Sequence, residues 1–389
     1  MNYQRELEYL SSIEQLRVLR AVSAREGKYV MINNRKLMDL SSNDYLGIAG
    51  DSSLRKRFLS EVDIAKYPFS SSASRLMSGN NIVLDELELL LAKLYTGKEA
   101  LVFGSGFQAN IGVIPALIDK KAIIFADKQV HASIIDGILL SGAKLYRYKH
   151  NDMNSLNGLL AKYRDNFENA WVITESIFSM DGDTADIKTL VAYKNKYKFS
   201  LYVDEAHAFG VRGKNGEGVC VELGLAEQVD VMIGTFGKAL ASVGAFVACD
   251  KEMKQYLVNK ARSFIFSTAL PPINILWTKW LLENLQLLLV EQRTKLQKMS
   301  DDFRRKVKAL GYEVTGDSHI VSIVIGDNKS TLKLSKQLEE AGFLVFAVRP
   351  PTVPMGSSRL RISLNAELDA SDISQLVEAL SLCWSVGAR

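Results

Sequence analysis

Between residues 100 and 249 the chain alternates two textures. Short, mostly apolar runs at 100–103, 122–126, 144–148, 170–175, 200–204, 229–235 and 245–248 are separated by stretches with helical spacing. Apolar strands divided by helices predict a mostly parallel sheet, here of seven strands, covered on both faces. Ligands bind such sheets beyond the carboxyl ends of the strands. Asp204 and Lys238 fall at such ends, and Glu175 and Ser179 also follow a strand.

The flanking regions read differently. Leu7, Leu10, Ile13, Leu16 and Leu19 recur at helical spacing and lead into a hairpin predicted at Asn33-Asn34. A long amphipathic helix is predicted over 273–290, where Asn274, Lys279, Glu283 and Gln286 interrupt the apolar positions. Runs at 320–325, 344–348 and 360–364 then alternate with helical segments, which predicts a smaller C-terminal α/β domain. The expected division is an N-terminal arm over 1–45, a large domain over 46–273 and the small domain over 274–389.

Composition narrows this picture. With 389 residues, 47% hydrophobic and 24% charged, the chain has enough material for two cores. The net charge of +4 is dispersed, with no basic run of the kind that binds nucleic acid. No segment reaches the roughly 20 apolar residues of a membrane span, and the first residues are polar and acidic. Cys220, Cys249 and Cys383 are too few and too scattered for a disulfide framework or a zinc site, and no metal is expected. The cytoplasm is the expected compartment.

The candidate chemistry gathers at the strand ends. Lys238 sits in Gly234-Thr235-Phe236-Gly237-Lys238, after a buried run. Asp204 and His207 sit in Val203-Asp204-Glu205-Ala206-His207. A lysine, an aspartate and a histidine at the tips of two core strands suit pyridoxal phosphate. The lysine holds the aldehyde, the aspartate keeps the pyridine nitrogen protonated, and the histidine meets the phenolic oxygen. Gly104-Ser105-Gly106-Phe107 opens a helix after the first strand. It reads either as a phosphate cup or as a tight turn, and Thr235 can add a hydroxyl. His131 reads as a ring-stacking group or as a helix cap, and His150 and His319 as structural histidines. Gly234 to Lys238 lacks the Ser/Thr and spacing of a P-loop, and Gly213 to Gly218 reads as a surface loop. Arg359 and Arg361 share one strand face. That face either binds a carboxylate bidentately or forms a solvated edge.

Jointly the chain resembles the α-oxoamine synthase family of fold-type I pyridoxal phosphate enzymes over nearly its whole length. The stretches that carry this are Ser41 to Gly47, Ser74 to Gly79, Ser105-Gly106-Phe107, His131-Ala132-Ser133, Ser176 to Asp183, Val203 to His207 and Thr235 to Lys238. The resemblance implies a homodimer with active sites at the subunit interface. It implies that Ser267 and Thr268 reach the phosphate of the partner's cofactor, that Ser179 and His207 meet the phenolic oxygen, and that Arg361 is the carboxylate clamp. Asn43, Thr352 and Arg17 are implied on the substrate side. The implied reaction is a decarboxylating condensation of an amino acid with an acyl thioester. Phe266 to Pro272, Gly326-Asp327-Asn328 and Arg349 to Gly356 point to L-alanine with a pimeloyl thioester of coenzyme A or a carrier protein. The run His131 to Gly137 suits glycine with acetyl-CoA equally well. Departures stand at Phe69 to Arg75, Leu84 and Gly244-Ala245, none of which removes a cofactor-contacting group.

Overall fold

The apolar runs form the strands of one sheet in a computed structural model that describes residues 2–284 and 286–387. In chain order these are β1 Glu99–Phe103, β2 Ile123–Asp127, β3 Lys144–Tyr148, β4 Ala170–Glu175, β5 Ser200–Asp204, β6 Val231–Thr235 and β7 Ala245–Cys249. Their spatial order is β1-β7-β6-β5-β4-β2-β3. Six strands run parallel, and β7 runs against its neighbours β1 and β6. Every residue of β2, β4, β6 and β7 is buried. The crossover helices therefore cover both faces, and such burial is the main source of stability. The register sets Glu175 beside Asp204 and Asp204 beside Ile233, so the carboxyl ends of the central strands lie level.

The described chain divides into two units. The larger comprises residues 55–178 and 184–291; the smaller joins residues 1–54, 179–183 and 292–389. The smaller unit holds two four-stranded sheets. In one, Tyr29–Ile32 and Arg35–Asp39 form a hairpin whose turn residues, Asn33 and Asn34, have φ of 50° and 58°. Positive φ at both positions suits the two-residue turn that matches strand twist, and asparagine tolerates it. The other sheet has the order Glu313–Thr315, Ile320–Gly326, Ser358–Ser363, Phe346–Val348, antiparallel throughout.

Two local expectations are corrected, and a third falls where it was predicted. The first helix covers only Tyr3–Ser12. Glu14 then turns left-handed (φ 57°), and Gln15 and Leu16 donate back to the Leu10 carbonyl, which closes the helix. The run at 344–348 is two strands: Phe343–Leu344 pairs in parallel with Arg35–Asp39, and Phe346–Val348 belongs to the other sheet. The helix expected over 273–290 falls on Pro272–Asn284 and Gln286–Ala309, with position 285 outside the described residues.

Candidate active site

In the larger unit, β5 delivers Asp204 to the carboxyl edge of the sheet. Its carboxylate is buried and accepts from the Ala206 N–H and from Asn110 Nδ2, each at 2.9 Å. The chain then turns sharply, with Ala208 and Phe209 donating to the Glu205 carbonyl, and this places His207 beside the strand end. Lys238 Nζ lies 2.8 Å from His207 Nε2. Lys238 is carried by a tight loop between β6 and β7. Phe236, fully buried against Phe209 and Phe246, anchors that loop from below. The Phe236 N–H and the Thr235 hydroxyl both donate to the Gly244 carbonyl.

The glycine-rich turn after β1 opens the helix Gly106–Leu117. The Ser105 hydroxyl caps it by accepting from the Gln108 N–H at 3.1 Å. The first amides of a helix have no partner within it, so those of Gly106 and Phe107 are offered outward. A Cβ on Gly106 would lie 3.9 Å from Thr235 Cβ, so the turn and Thr235 are adjacent.

His131 caps the helix Ala132–Ser141: its Nδ1 accepts from the Ser133 N–H at 3.3 Å and lies 2.8 Å from Ser133 Oγ. Its own N–H donates to the Glu175 carboxyl at 2.6 Å. Both readings of His131 are thus compatible, since it caps a helix and its ring is close enough to Asp204 and Lys238 to feel their charges. Burial lowers its pKa; Asp204 and Asp136 pull the other way, while Lys238 adds to the lowering. Glu175 is pushed up to about 8, first by burial and then by the charge of Asp204.

In the smaller unit the two strand arginines separate. Ser358–Ser363 is flanked on both sides, so the solvated-edge alternative does not hold. Arg359 is paired with the Asp181 carboxylate. Arg361, equally buried, meets only neutral acceptors among the described residues. Nε donates to the Ser179 carbonyl at 2.5 Å, Nη1 to Ser363 Oγ at 2.7 Å, and Nη2 to Asn43 Oδ1 at 3.1 Å and Tyr45 Oη at 3.4 Å. Arg17 donates to Thr352 Oγ1 at 3.0 Å in the same unit.

The structure therefore gathers Lys238, Asp204, His207, His131, Thr235, Gly106 and Phe107 in one unit, and Arg361, Asn43 and Ser179 in the other. Ser267 and Thr268 line a small cavity together with Phe103 and Gly104, at the start of the glycine-rich turn. Thr268 bridges to Ser74, and the adjoining Ala269 N–H donates to the Ala73 carbonyl. Gly213 to Gly218 is a half-buried turn rather than a surface loop; it ends where the buried Glu205 carboxylate takes the N–H groups of Val219 and Cys220. His150 lies against Asp127, and His319 is edge-on to the Tyr45 ring. Sequence reasoning missed Asn110 and Tyr45 as partners of Asp204 and Arg361. The signal for Asn110 was a buried-side amide in a helix whose other polar residue is Gln108.

An amine beside an imidazole, a buried carboxylate held by two donors, and a helix N-terminus beside a hydroxyl together fit pyridoxal phosphate. They match its aldehyde, its pyridine nitrogen and its phosphate respectively. The family model for aminotransferase class I and II matches residues 35–380. A Haemophilus influenzae protein provisionally named 8-amino-7-oxononanoate synthase is 44% identical over 97% of this chain and 99% of its own length. A Neisseria gonorrhoeae protein of the same provisional name is 42% identical over 97% and 99%. Among solved structures, the Sphingomonas wittichii serine palmitoyltransferase is 28% identical, with a TM-score of 0.91 over 99% of this chain and 96% of that one. The 8-amino-7-oxononanoate synthase of Francisella tularensis is 31% identical, with a TM-score of 0.77 over 91% and 99%. The chain belongs to the class I and II aminotransferase family and, within it, to the α-oxoamine synthases, which are pyridoxal phosphate-dependent acyltransferases.

Proposed function

We propose that the chain condenses L-alanine with a pimeloyl thioester, releasing carbon dioxide and the thiol and forming 8-amino-7-oxononanoate, a step of biotin biosynthesis. The observation that carries the amino-acid half is Arg361, a buried guanidinium with only neutral partners among the described residues. A buried cation in that setting favours an incoming carboxylate, which it can grip bidentately. The acyl half is supported by relatives 42–44% identical over almost their whole length that carry the name of this activity.

In this reading the phosphate is held by the Gly106 and Phe107 amides and by the Thr235 hydroxyl, which turns its proton from the Gly244 carbonyl toward it, with Ser267 and Thr268 supplied by a second copy of the chain. His131 stacks on the ring, and His207 and Ser179 meet its phenolic oxygen. Lys238 anchors the cofactor and, once displaced by alanine, takes the Cα proton as general base. The neighbouring His207 nitrogen gives that amine a hydrogen-bond partner in either protonation state. Asp204 keeps a positive charge favourable at the ring nitrogen, and bound pyridoxal phosphate then supplies the sink for the electron pair that the proton leaves behind. A carbon–carbon bond forms between the alanine Cα and the thioester carbonyl carbon as the thiolate leaves. The resulting β-keto acid loses carbon dioxide. Asn43 steadies Arg361, and Arg17 with Thr352 faces the acyl substrate.

The test is a panel of alanine, glycine and serine, each paired with pimeloyl-CoA and acetyl-CoA, following release of carbon dioxide and coenzyme A. Alanine with pimeloyl-CoA should have the highest kcat/KM. Some glycine turnover is expected, because one methyl in an apolar pocket is worth only about 1–3 kcal/mol. A higher kcat/KM for glycine with acetyl-CoA would assign the chain to the ligase reaction instead.

A further inference from the structure

Asn110 occupies the second turn of the helix Gly106–Leu117 and is 1% exposed. Its amide makes three hydrogen bonds. Nδ2 donates to Asp204 Oδ2 and to Ser133 Oγ, each at 2.9 Å, and Oδ1 accepts from the Tyr202 hydroxyl at 2.5 Å. The orientation of the amide is fixed by chemistry. Turned over, it would set its oxygen against the Asp204 carboxylate, while the Tyr202 hydroxyl, whose pKa burial raises well above its ordinary value, remains a donor.

The directions of the remaining bonds follow. Ser133 Oγ accepts from Asn110, so its single proton is left for His131 Nδ1 at 2.8 Å. The Ser133 N–H points to the same nitrogen. Nδ1 is therefore an acceptor, and a neutral His131 carries its proton on Nε2. The contact is built into the packing. A Cβ on Gly137 would fall 2.7 Å from the Asn110 carbonyl oxygen, so the absence of a side chain there lets the helix Ala132–Ser141 come close enough for Ser133 to reach the amide.

We infer that Asn110 is a positioning residue that couples the two cofactor-facing groups. One amide fixes the Asp204 carboxylate and, through Ser133, sets the tautomer of His131. The inference rests on the cofactor roles proposed above for Asp204 and His131, and it adds that neither is set independently of the other. An amide that serves both prevents His131 from taking a proton at Nδ1 without giving up the bond from Ser133. This keeps a neutral donor opposite a charged carboxylate. The charged groups acting on His131 are Asp204, Lys238 and Asp136, and Glu175 holds its N–H.

The experiment uses protein labelled with ¹⁵N at its four histidines, loaded with pyridoxal phosphate, without substrate. The first readout is the pair of His131 nitrogen shifts across pH. The second is the pH midpoint of the visible band of the bound cofactor, which responds to Asp204. Wild type should show the Nε2–H form. Ser133→Ala should raise the His131 midpoint by about one pH unit, the size of one lost hydrogen bond, and leave the visible band alone. Asn110→Ala should move both readouts. If both stay at wild-type values, or only one moves, the coupling is wrong. Should Asn110→Ala fail to fold, Tyr202→Phe removes only the hydroxyl that orients the amide. It should shift both readouts in the same sense by a smaller amount, and no shift would overturn the inference. Because no substrate is present, a failed alanine or pimeloyl assay has no bearing on these readouts.

Discussion

At the scale of single residues, two arginines two positions apart have different tasks. Arg361→Lys keeps the charge but loses the fork. Charged hydrogen bonds are worth about 1.5–3 kcal/mol, so the KM for alanine should rise roughly 10- to 100-fold, with a smaller change in kcat. Arg359→Leu instead strands the buried Asp181 carboxylate and should lower the urea unfolding free energy by about 3–5 kcal/mol while changing KM little. Steady-state kinetics and denaturation on both variants decide the assignment; a larger KM effect at Arg359 would reverse it. The strand pattern alone showed only that both arginines share a face, and the choice of Arg361 came from the family resemblance, because the acceptor that distinguishes them, Asp181, lies far away in the chain.

Glu175 gives a pH dependence. Its folded pKa, about 8, lies above the ordinary 4.5, so the folded state holds an extra proton between those values. The stability linked to that proton is fully present below pH 4.5 and is lost as pH rises through 8. Glu175→Gln keeps the acceptor for the His131 N–H and removes the titration. Urea midpoints of the cofactor-free protein should therefore fall less steeply between pH 7 and 9 in the variant than in wild type. Parallel curves would show that Glu175 is already ionised in the folded protein.

At the scale of elements, the sheet was legible and its surroundings less so. Strands β4 and β5 fall where their apolar runs predict, because a strand buried on both faces writes its length directly into the sequence. The N-terminal leucines show the limit of that logic. They repeat at helical spacing, yet Leu16 is partly exposed and Leu19 fully so, and the helix has already ended at Ser12. Periodicity without a surface to bury against does not hold a helix. Cofactor-facing residues that end strands were readable, whereas Asn110 was not, since its role depends on how two helices pack. Gly137→Ala tests that packing. The added methyl would force the helices apart and should cost about 1–3 kcal/mol, with weaker retention of pyridoxal phosphate on dialysis. Unchanged stability and retention would mean that the contact relaxes freely.

At the scale of the whole molecule, the proposed dimer explains a cluster of exposed apolar side chains. Phe69, Leu76, Met77 and Phe266 are 52–81% exposed and flank the strand-like contact of Ser74 with Thr268. Patches of this kind mark interaction surfaces. Mixing Lys238→Ala protein with a Ser267→Ala, Thr268→Ala double variant should restore activity at limiting cofactor. Statistical exchange into symmetric dimers gives roughly one native site in four. Activity no greater than the sum of the two parents would remove the shared site.

The smaller unit is assembled from both ends of the chain, and this has a consequence for biosynthesis. Arg35–Asp39 pairs with Phe343–Leu344, which the ribosome adds some three hundred residues later. The larger unit has all of its residues once position 291 has left the exit tunnel, so it can complete its core during translation. The first 54 residues cannot, and their hairpin has to wait, with one strand edge open, until Phe343–Leu344 has been made. Such an edge is a template for wrong pairing. Newly made chains should therefore be most prone to aggregation, and most dependent on chaperones, late in elongation.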